Sequence, residues 1–182
     1  MDKINLVSPT KELEEKVMDY KREFLVNNEV LHGGSFLDEV TDYDTWLKLL
    51  LNYNYLLTIK RGYVKGTTYL AIRERDQRMV GIINIRHSLN DYLLNYGGHI
   101  GYSVRKSERR KGYATEMLRM ALDICKDLKI GKVLITCNKE NLASSKTIIS
   151  NGGKLENEVM KDGEIYLRYW IELFRSEGNK FP

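Results

Sequence analysis

The stretch H-I-G-Y-S-V-R-K-S-E-R-R-K-G-Y-A-T-E-M-L-R-M-A-L-D, residues His99 to Asp123, decides the reading of this chain. It opens as a strand, His99 to Val104, turns through a basic segment containing Gly112, and continues as an amphipathic helix. Peptide N–H groups at a helix start lack intrahelical partners, and the helix dipole adds about half a positive charge there. Arg105, Lys106, Arg109, Arg110 and Lys111 crowd the same turn. Strand, glycine turn and helix start in that order predict an anion site, one suited to a phosphorylated ligand.

Downstream, the helix runs from Gly112 to Leu128, with Ala114, Met117 or Leu118, Ala121, Cys125 and Leu128 on its apolar stripe and Gly131 at its end. Lys132 to Cys137 is apolar enough for a central strand. A strand–helix–strand crossover is right-handed, so this strand and His99–Val104 are expected to be parallel neighbours. Asn141 to Ser150 forms a shorter helix, stopped by Asn151-Gly152-Gly153. Lys154 to Met160 and Glu164 to Leu173 flank Lys161-Asp162-Gly163, a hairpin whose turn suits positive φ.

Upstream, Lys3 to Val7 reads as a first strand and Ser8-Pro9 as a helix start. Leu13, Val17, Tyr20 and Phe24 recur at helical spacing until Asn27-Asn28 and Gly33-Gly34 break the pattern. Thr41-Asp42-Tyr43-Asp44 caps a second helix carrying Trp46, Leu47, Leu50 and Leu51. From Thr67 the period becomes two: Thr67 to Arg73 and Arg78 to His87 form an antiparallel hairpin. His87 to Gly98 reads as a polar, tyrosine-rich loop. The sum is a mixed α/β fold, mostly antiparallel with one parallel joint, in a single domain over residues 1–175 with a polar tail at 176–182. Ligands of such sheets bind at carboxyl ends of strands where the topology changes, here after Val104 and beside the strand ending at Cys137.

A chain of 182 residues with 42% apolar and 30% charged residues is of ordinary globular composition, and a net charge of +4 assigns no partner. Met1 to Leu6 lacks the apolar core of a secretory leader, and no apolar run is long enough to cross a bilayer. Cys125 and Cys137 lack metal-ligand spacing and read as buried, reduced thiols, which fits a cytoplasmic protein.

Arg109-Arg110-Lys111-Gly112-Tyr113-Ala114 fits the Arg/Gln-x-x-Gly-x-Gly/Ala signature of the GNAT superfamily of N-acetyltransferases. I-G-Y-S-V before it and T-E-M-L-R-M-A-L after it resemble that family's acetyl-CoA segment, and Asn141-Leu142-Ala143-Ser144 resembles the N-x-x-S opening of its next helix. The order of elements is similar from about Ile4 to Leu173, and H-S-L-N-D-Y-L-L-N-Y-G-G resembles a bacterial branch of predicted GNAT acetyltransferases. The resemblance implies a parallel strand pair splayed around acetyl-CoA and direct transfer of acetyl to a primary amine. It implies that backbone at Gly112, Tyr113 and Ala114 approaches the pyrophosphate, with Arg109, Arg110 and Lys111 adding charge for the phosphates. Tyr102, Ser103 and Val104 would pair with the pantetheine arm as with an extra strand. Asn141 and Ser144 would hold that arm from the other side, their alternative role being to cap the helix.

Attack on a thioester needs a neutral amine, hence a general base. His99 stands where relatives often carry a glutamate, and its ordinary pKa suits the task. His87 and then His32 are the alternatives. The tyrosine that many relatives place seven residues after the helix-opening asparagine is Ile148 here, so the usual general acid is absent. No metal site is expected, since His87, His99 and Asp91 follow no zinc spacing. A second reading is a non-catalytic coenzyme-A-binding sensor or interaction module. Nucleic acid is a poor partner for the basic turn, because no aromatic stacking pattern accompanies it. The acceptor amine is open, as is the choice between monomer and homodimer.

Overall fold

The computed structural model describes residues 2–53 and 62–174; the tail at 176–182 lies outside the described residues. The elements are β1 (Ile4–Val7), α1 (Glu14–Val26), α2 (Tyr43–Tyr53), β2 (Gly66–Arg73), β3 (Met79–Arg86), β4 (Ile100–Val104), α3 (Tyr113–Asp127), β5 (Lys132–Asn138), α4 (Leu142–Ser150), β6 (Lys154–Lys161) and β7 (Glu164–Glu172). The strands form two antiparallel sheets, ordered β1-β2-β3-β4 and β5-β7-β6.

Alternation along β2 and β3 places the first sheet between two helical layers. Leu70, Ile72, Met79 and Ile82 pack with Val17, Tyr20 and Phe24 of α1 and Trp46 of α2. Ala71, Ile83 and Ile85 pack with Met117, Leu118, Ala121 and Cys125 of α3. Ala71 pairs with Gly81 but Ile72 with Met79, so the register skips Val80 and turns it into the α3 layer. Covered on both faces, β3 is buried from Met79 to Ile85, which is why it reads as a near-continuous apolar run. The fully buried Trp46 donates its indole N–H to the Gly34 and Ser35 carbonyls at 2.9 and 3.1 Å, tying α2 to the loop after α1.

Three expected boundaries differ. Ser8-Pro9 starts no helix: Thr10 is still extended, a 3-10 turn covers Lys11–Leu13, and α1 begins at Glu14. The Thr10 carbonyl accepts the Tyr43 hydroxyl at 2.6 Å, a tertiary contact that outweighs the local start signal. The segment read as a polar loop is helical from Asp91, with a π-turn at Leu93–Gly97. Asn90 Oδ1 caps it by accepting the Leu93 N–H at 2.9 Å, and Leu93 is its buried anchor. Helix α3 ends at Asp127, one residue short of the expected Leu128, but its stop is Lys129 and not Gly131: Lys129 takes the left-handed conformation and the Ile130 N–H donates back to the Cys125 carbonyl at 3.0 Å. Leu128 is consequently 39% exposed rather than part of the stripe.

Between β4 and β5 the fold opens. The strands expected to pair lie in different sheets and share no ladder among the described residues. They meet at His99, whose backbone N–H donates to the Leu134 carbonyl at 2.7 Å while its ring Nδ1 accepts the Leu134 N–H at 2.9 Å. An accepting ring nitrogen carries no proton, so this bond assigns the neutral, Nε2-protonated tautomer. Burial, helped by the nearby Arg86 guanidinium, lowers the His99 pKa to about 4. Protonation therefore opposes folding. The stability gained from a neutral His99 is complete above about pH 6.5 and is lost as pH falls towards the folded value. His99→Asn keeps an acceptor near the δ position but cannot titrate. Urea denaturation at about pH 7 and about pH 4.5 should show the parent chain losing on the order of 2–3 kcal/mol more than the variant. Equal losses would mean that the ring is not held neutral.

Candidate active site

Strand β4 has one edge against β3 and the other facing the opening. The Arg86 N–H donates to the His99 carbonyl at 2.7 Å and the Arg105 N–H to the Val80 carbonyl at 3.1 Å, which fixes the phase of the ladder. By antiparallel alternation Gly101 and Ser103 also turn their backbone groups to β3, whereas Ile100, Tyr102 and Val104 turn theirs away. The Val104 carbonyl is taken by Arg109 Nε–H at 2.9 Å. The N–H groups of Tyr102 and Val104 are left facing the opening, along an edge with no partner strand among the described residues. Ser103 differs from the expectation: its backbone faces β3, and only its side chain reaches outward. The register runs unbroken from Ile100 to Val104, so the opening arises at His99 and not from a bulge within β4.

Below this edge the chain turns into α3. Arg110 and Gly112 both have positive φ, 63° and 86°, and Gly112 is the helix N-cap. A glycine there supplies no capping side chain, so the N–H groups of Tyr113, Ala114 and Thr115 start the helix uncapped. Left-handed residues at such a turn shape a concave array of backbone N–H groups, an anion cradle. The Tyr113 side chain itself is buried, its hydroxyl 3.2 Å from Arg73 Nη1 and from Asp2 Oδ2, so only its backbone serves the turn.

The five cations of this segment divide sharply. Arg105 is buried and donates to Glu23, Asp19 and the Met79 carbonyl at 2.6, 2.8 and 3.2 Å. Lys106 donates to Asn27 Oδ1, and Lys111 to Glu108 at 2.8 Å. Glu108 is itself buried. Burial raises its pKa, but Lys111 and Arg73 outweigh burial and hold its carboxyl below the usual range. Arg109 lies in the cleft in a bidentate pair with Glu29. Among the described residues only Arg110 of the five makes no hydrogen bond or ion pair, and it lines the cleft.

The facing wall is the start of α4. Asn141 caps it, its Oδ1 accepting the Ser144 N–H at 3.0 Å. The Ser144 hydroxyl is 3.0 Å from the Tyr102 hydroxyl, which spans the gap from β4; burial raises the Tyr102 pKa to about 12. Ile148, where relatives often carry tyrosine, is fully buried in the α3 core. Together these walls enclose a cleft of about 840 Å³. The structure thus brings Tyr102, Ser103, Val104, Arg109, Arg110, Gly112, Tyr113, Ala114, Asn141 and Ser144 to one place, with Lys111 at its margin on Glu108.

His99 is not among the residues that line this cleft; it is committed to the sheet junction. His87 is also outside it, its Nε2 2.9 Å from the Thr67 hydroxyl. The histidine that the structure brings to the cleft is His32, in the loop after α1. That loop is strapped onto β4 by the Ser103 hydroxyl, which donates to the His32 carbonyl at 2.7 Å. Gly33 has φ 77°, and a Cβ there would come within 2.3 Å of the Gly101 carbonyl oxygen, so only glycine permits the approach. His32 and Val30 also border a second cavity of about 580 Å³, lined by Asp38, Glu39, Asn84, Arg86 and Tyr92. The pair Gly33-Gly34 was the sequence signal for this strap, though it read only as a helix break. Among the described residues no group of three or more His, Cys, Asp or Glu could hold a metal ion, and no helix is long and apolar enough to cross a membrane.

No curated protein matches the chain. Solved structures do share its fold. The microcin C7 self-immunity acetyltransferase MccE, solved with acetyl-CoA and AMP, is 16% identical with a TM-score of 0.66 over 94% of this chain and 93% of its own. The ribosomal L7/L12 α-N-protein acetyltransferase RimL, solved with coenzyme A, is 17% identical with a TM-score of 0.64 over 93% of each chain. An acetyltransferase from Salmonella typhimurium that modifies the N-terminal serine of L7/L12 is 20% identical with a TM-score of 0.61, over 93% of this chain and 94% of its own. The family model of the acetyltransferase (GNAT) domain matches residues 14–154, most of the sequence. The chain belongs to the GNAT family of acetyltransferases.

Proposed function

We propose that this chain transfers the acetyl group of acetyl-CoA directly to a primary amine of a small molecule or a protein. The observation that carries the reading is the free edge of β4 running down to the uncapped start of α3 inside one cleft. An extended, amide-rich pantetheine arm matches that edge, with the N–H groups of Tyr102 and Val104 as donors. The pyrophosphate matches the cradle at Arg110–Thr115, where Arg110 supplies the unpaired charge. Asn141 and Ser144 close the other side. The RimL and MccE structures, each solved with coenzyme A or acetyl-CoA, lend support by fold.

The acceptor enters through the second cavity, which meets the cleft at Val30 and His32. Asp38 and Glu39 on its wall favour a cationic amine, and the left-handed Ser35 and Phe36 hold that wall in a strained shape. We place the enzyme in the cytoplasm, as monomer or homodimer. Burial raises the Cys125 and Cys137 thiols to about 12 and about 11, so neither is reactive there. Ile148 in place of the usual tyrosine favours one second reading, a coenzyme A binder without catalysis.

Two measurements test this. Gly112→Val must hold a β-branched residue at positive φ, costing about 1–2 kcal/mol, and crowds the cradle, so acetyl-CoA affinity by calorimetry should fall at least about tenfold. An unchanged affinity contradicts the phosphate site. A panel of primary amines, small and peptide-borne, should release free coenzyme A thiol from acetyl-CoA with at least one acceptor. Saturable binding without release from any amine selects the non-catalytic reading.

A further inference from the structure

We propose that His32 is the general base that takes the proton from the acceptor amine, a role that rests on the transferase reading above. Three histidines are available, and the contacts of two exclude them. The His99 ring nitrogen that could accept a proton already accepts the Leu134 N–H, and His87 is bonded to Thr67 away from the cleft. His32 alone of the three borders both the cleft and the second cavity, at the point where a thioester and an amine would meet.

Its setting fits the task. The residue is anchored by its backbone, through Ser103 and the close approach of Gly33 to Gly101 and Tyr102, leaving the ring exposed to the cavities. Among the described residues the ring makes no hydrogen bond or ion pair, so both nitrogens are open to a substrate. The charged groups facing it are Asp38 of its own loop, which favours the protonated ring, and Arg86 of β3, which opposes it. Glu39 lines the same cavity, while Glu29 and Arg109 across the cleft neutralise each other. Partial desolvation beside the cavity walls, with Arg86, outweighs Asp38 and lowers the His32 pKa, so at neutral pH the imidazole is the free base.

The step balances as follows. The acceptor ammonium gives one proton to an imidazole nitrogen of His32, and the freed lone pair forms the C–N bond to the thioester carbonyl carbon. The C–S bond breaks with its electron pair on sulfur, and the nitrogen's second proton passes to that thiolate. Amide and thiol result, and His32 returns its proton to solvent.

The test needs no identified acceptor. S-bromoacetyl-coenzyme A places an electrophilic carbon where the acetyl methyl would lie, and a neutral imidazole displaces bromide from it, forming a C–N bond. Peptide mapping by mass spectrometry should find the adduct on His32. Its rate should hold through the ordinary histidine range, fall only in more acid solution, and be suppressed by excess coenzyme A. His32→Gln should remain unlabelled with an unchanged Kd for coenzyme A. With the best amine of the panel, that variant should lose about 100-fold or more in kcat at about pH 7, with little change in KM for acetyl-CoA. Adducts only elsewhere, or none despite saturable coenzyme A binding, would overturn the assignment of His32. Failure of coenzyme A to bind would remove the transferase reading itself, and the proton role with it.

Discussion

The structure depends on the bridge between His99 and Leu134. One residue satisfies both backbone groups of its neighbour across the gap, with a peptide N–H on one side and a ring nitrogen on the other. That bridge joins the two sheets at a point and ends their pairing there. Beyond it β4 stays bonded to β3 through alternate residues while the other half of its peptide groups faces the cleft. A strand edge of this kind normally invites another chain. Here it is recessed between α3 and α4, so a narrow extended ligand reaches it more readily than a second protein does.

Electrostatics at the turn serve shape before binding. Arg105 sits beneath α1 with Glu23 and Asp19, and Glu108 sits between Arg73 and Lys111. Buried charges of this kind are costly to leave unpaired, at about 3–5 kcal/mol when one partner is removed. They therefore lock the backbone path that leads from Val104 to Gly112. The turn is consequently lined mainly by peptide N–H groups, with Arg110 as the cation left without a protein partner among the described residues. An arrangement of this kind suits an anion by geometry and is screened by salt less than a field of free lysines.

Much of this was legible in the sequence because it rests on local rules. Gly112 at a helix start, the Asn141 cap, the Asp162-Gly163 turn and the period change at Thr67 each have one structural meaning. What was missed required tertiary partners. Thr10 stays extended because Tyr43 reaches it, and Asp91–Gly97 coils because Leu93 is buried behind an Asn90 cap. The five cations looked alike in sequence, and only the positions of Glu23, Glu29 and Glu108 show which of them are already neutralised. The different settings of His99 and His32 were hidden for the same reason. A histidine at a strand end looks chemical until its lone pair is found on a peptide N–H, and one beside Gly33-Gly34 looks incidental until the strap lays it against β4.

Amide hydrogen exchange at β4 reports directly on whether the open edge takes up a ligand. If pantetheine lies along the open edge, the Tyr102 and Val104 amides should exchange at least about tenfold more slowly with saturating coenzyme A, as new hydrogen-bonded partners cover them. Gly101 and Ser103, already bonded to β3, should change little. Full coenzyme A binding with unchanged exchange at Tyr102 and Val104 would contradict the account.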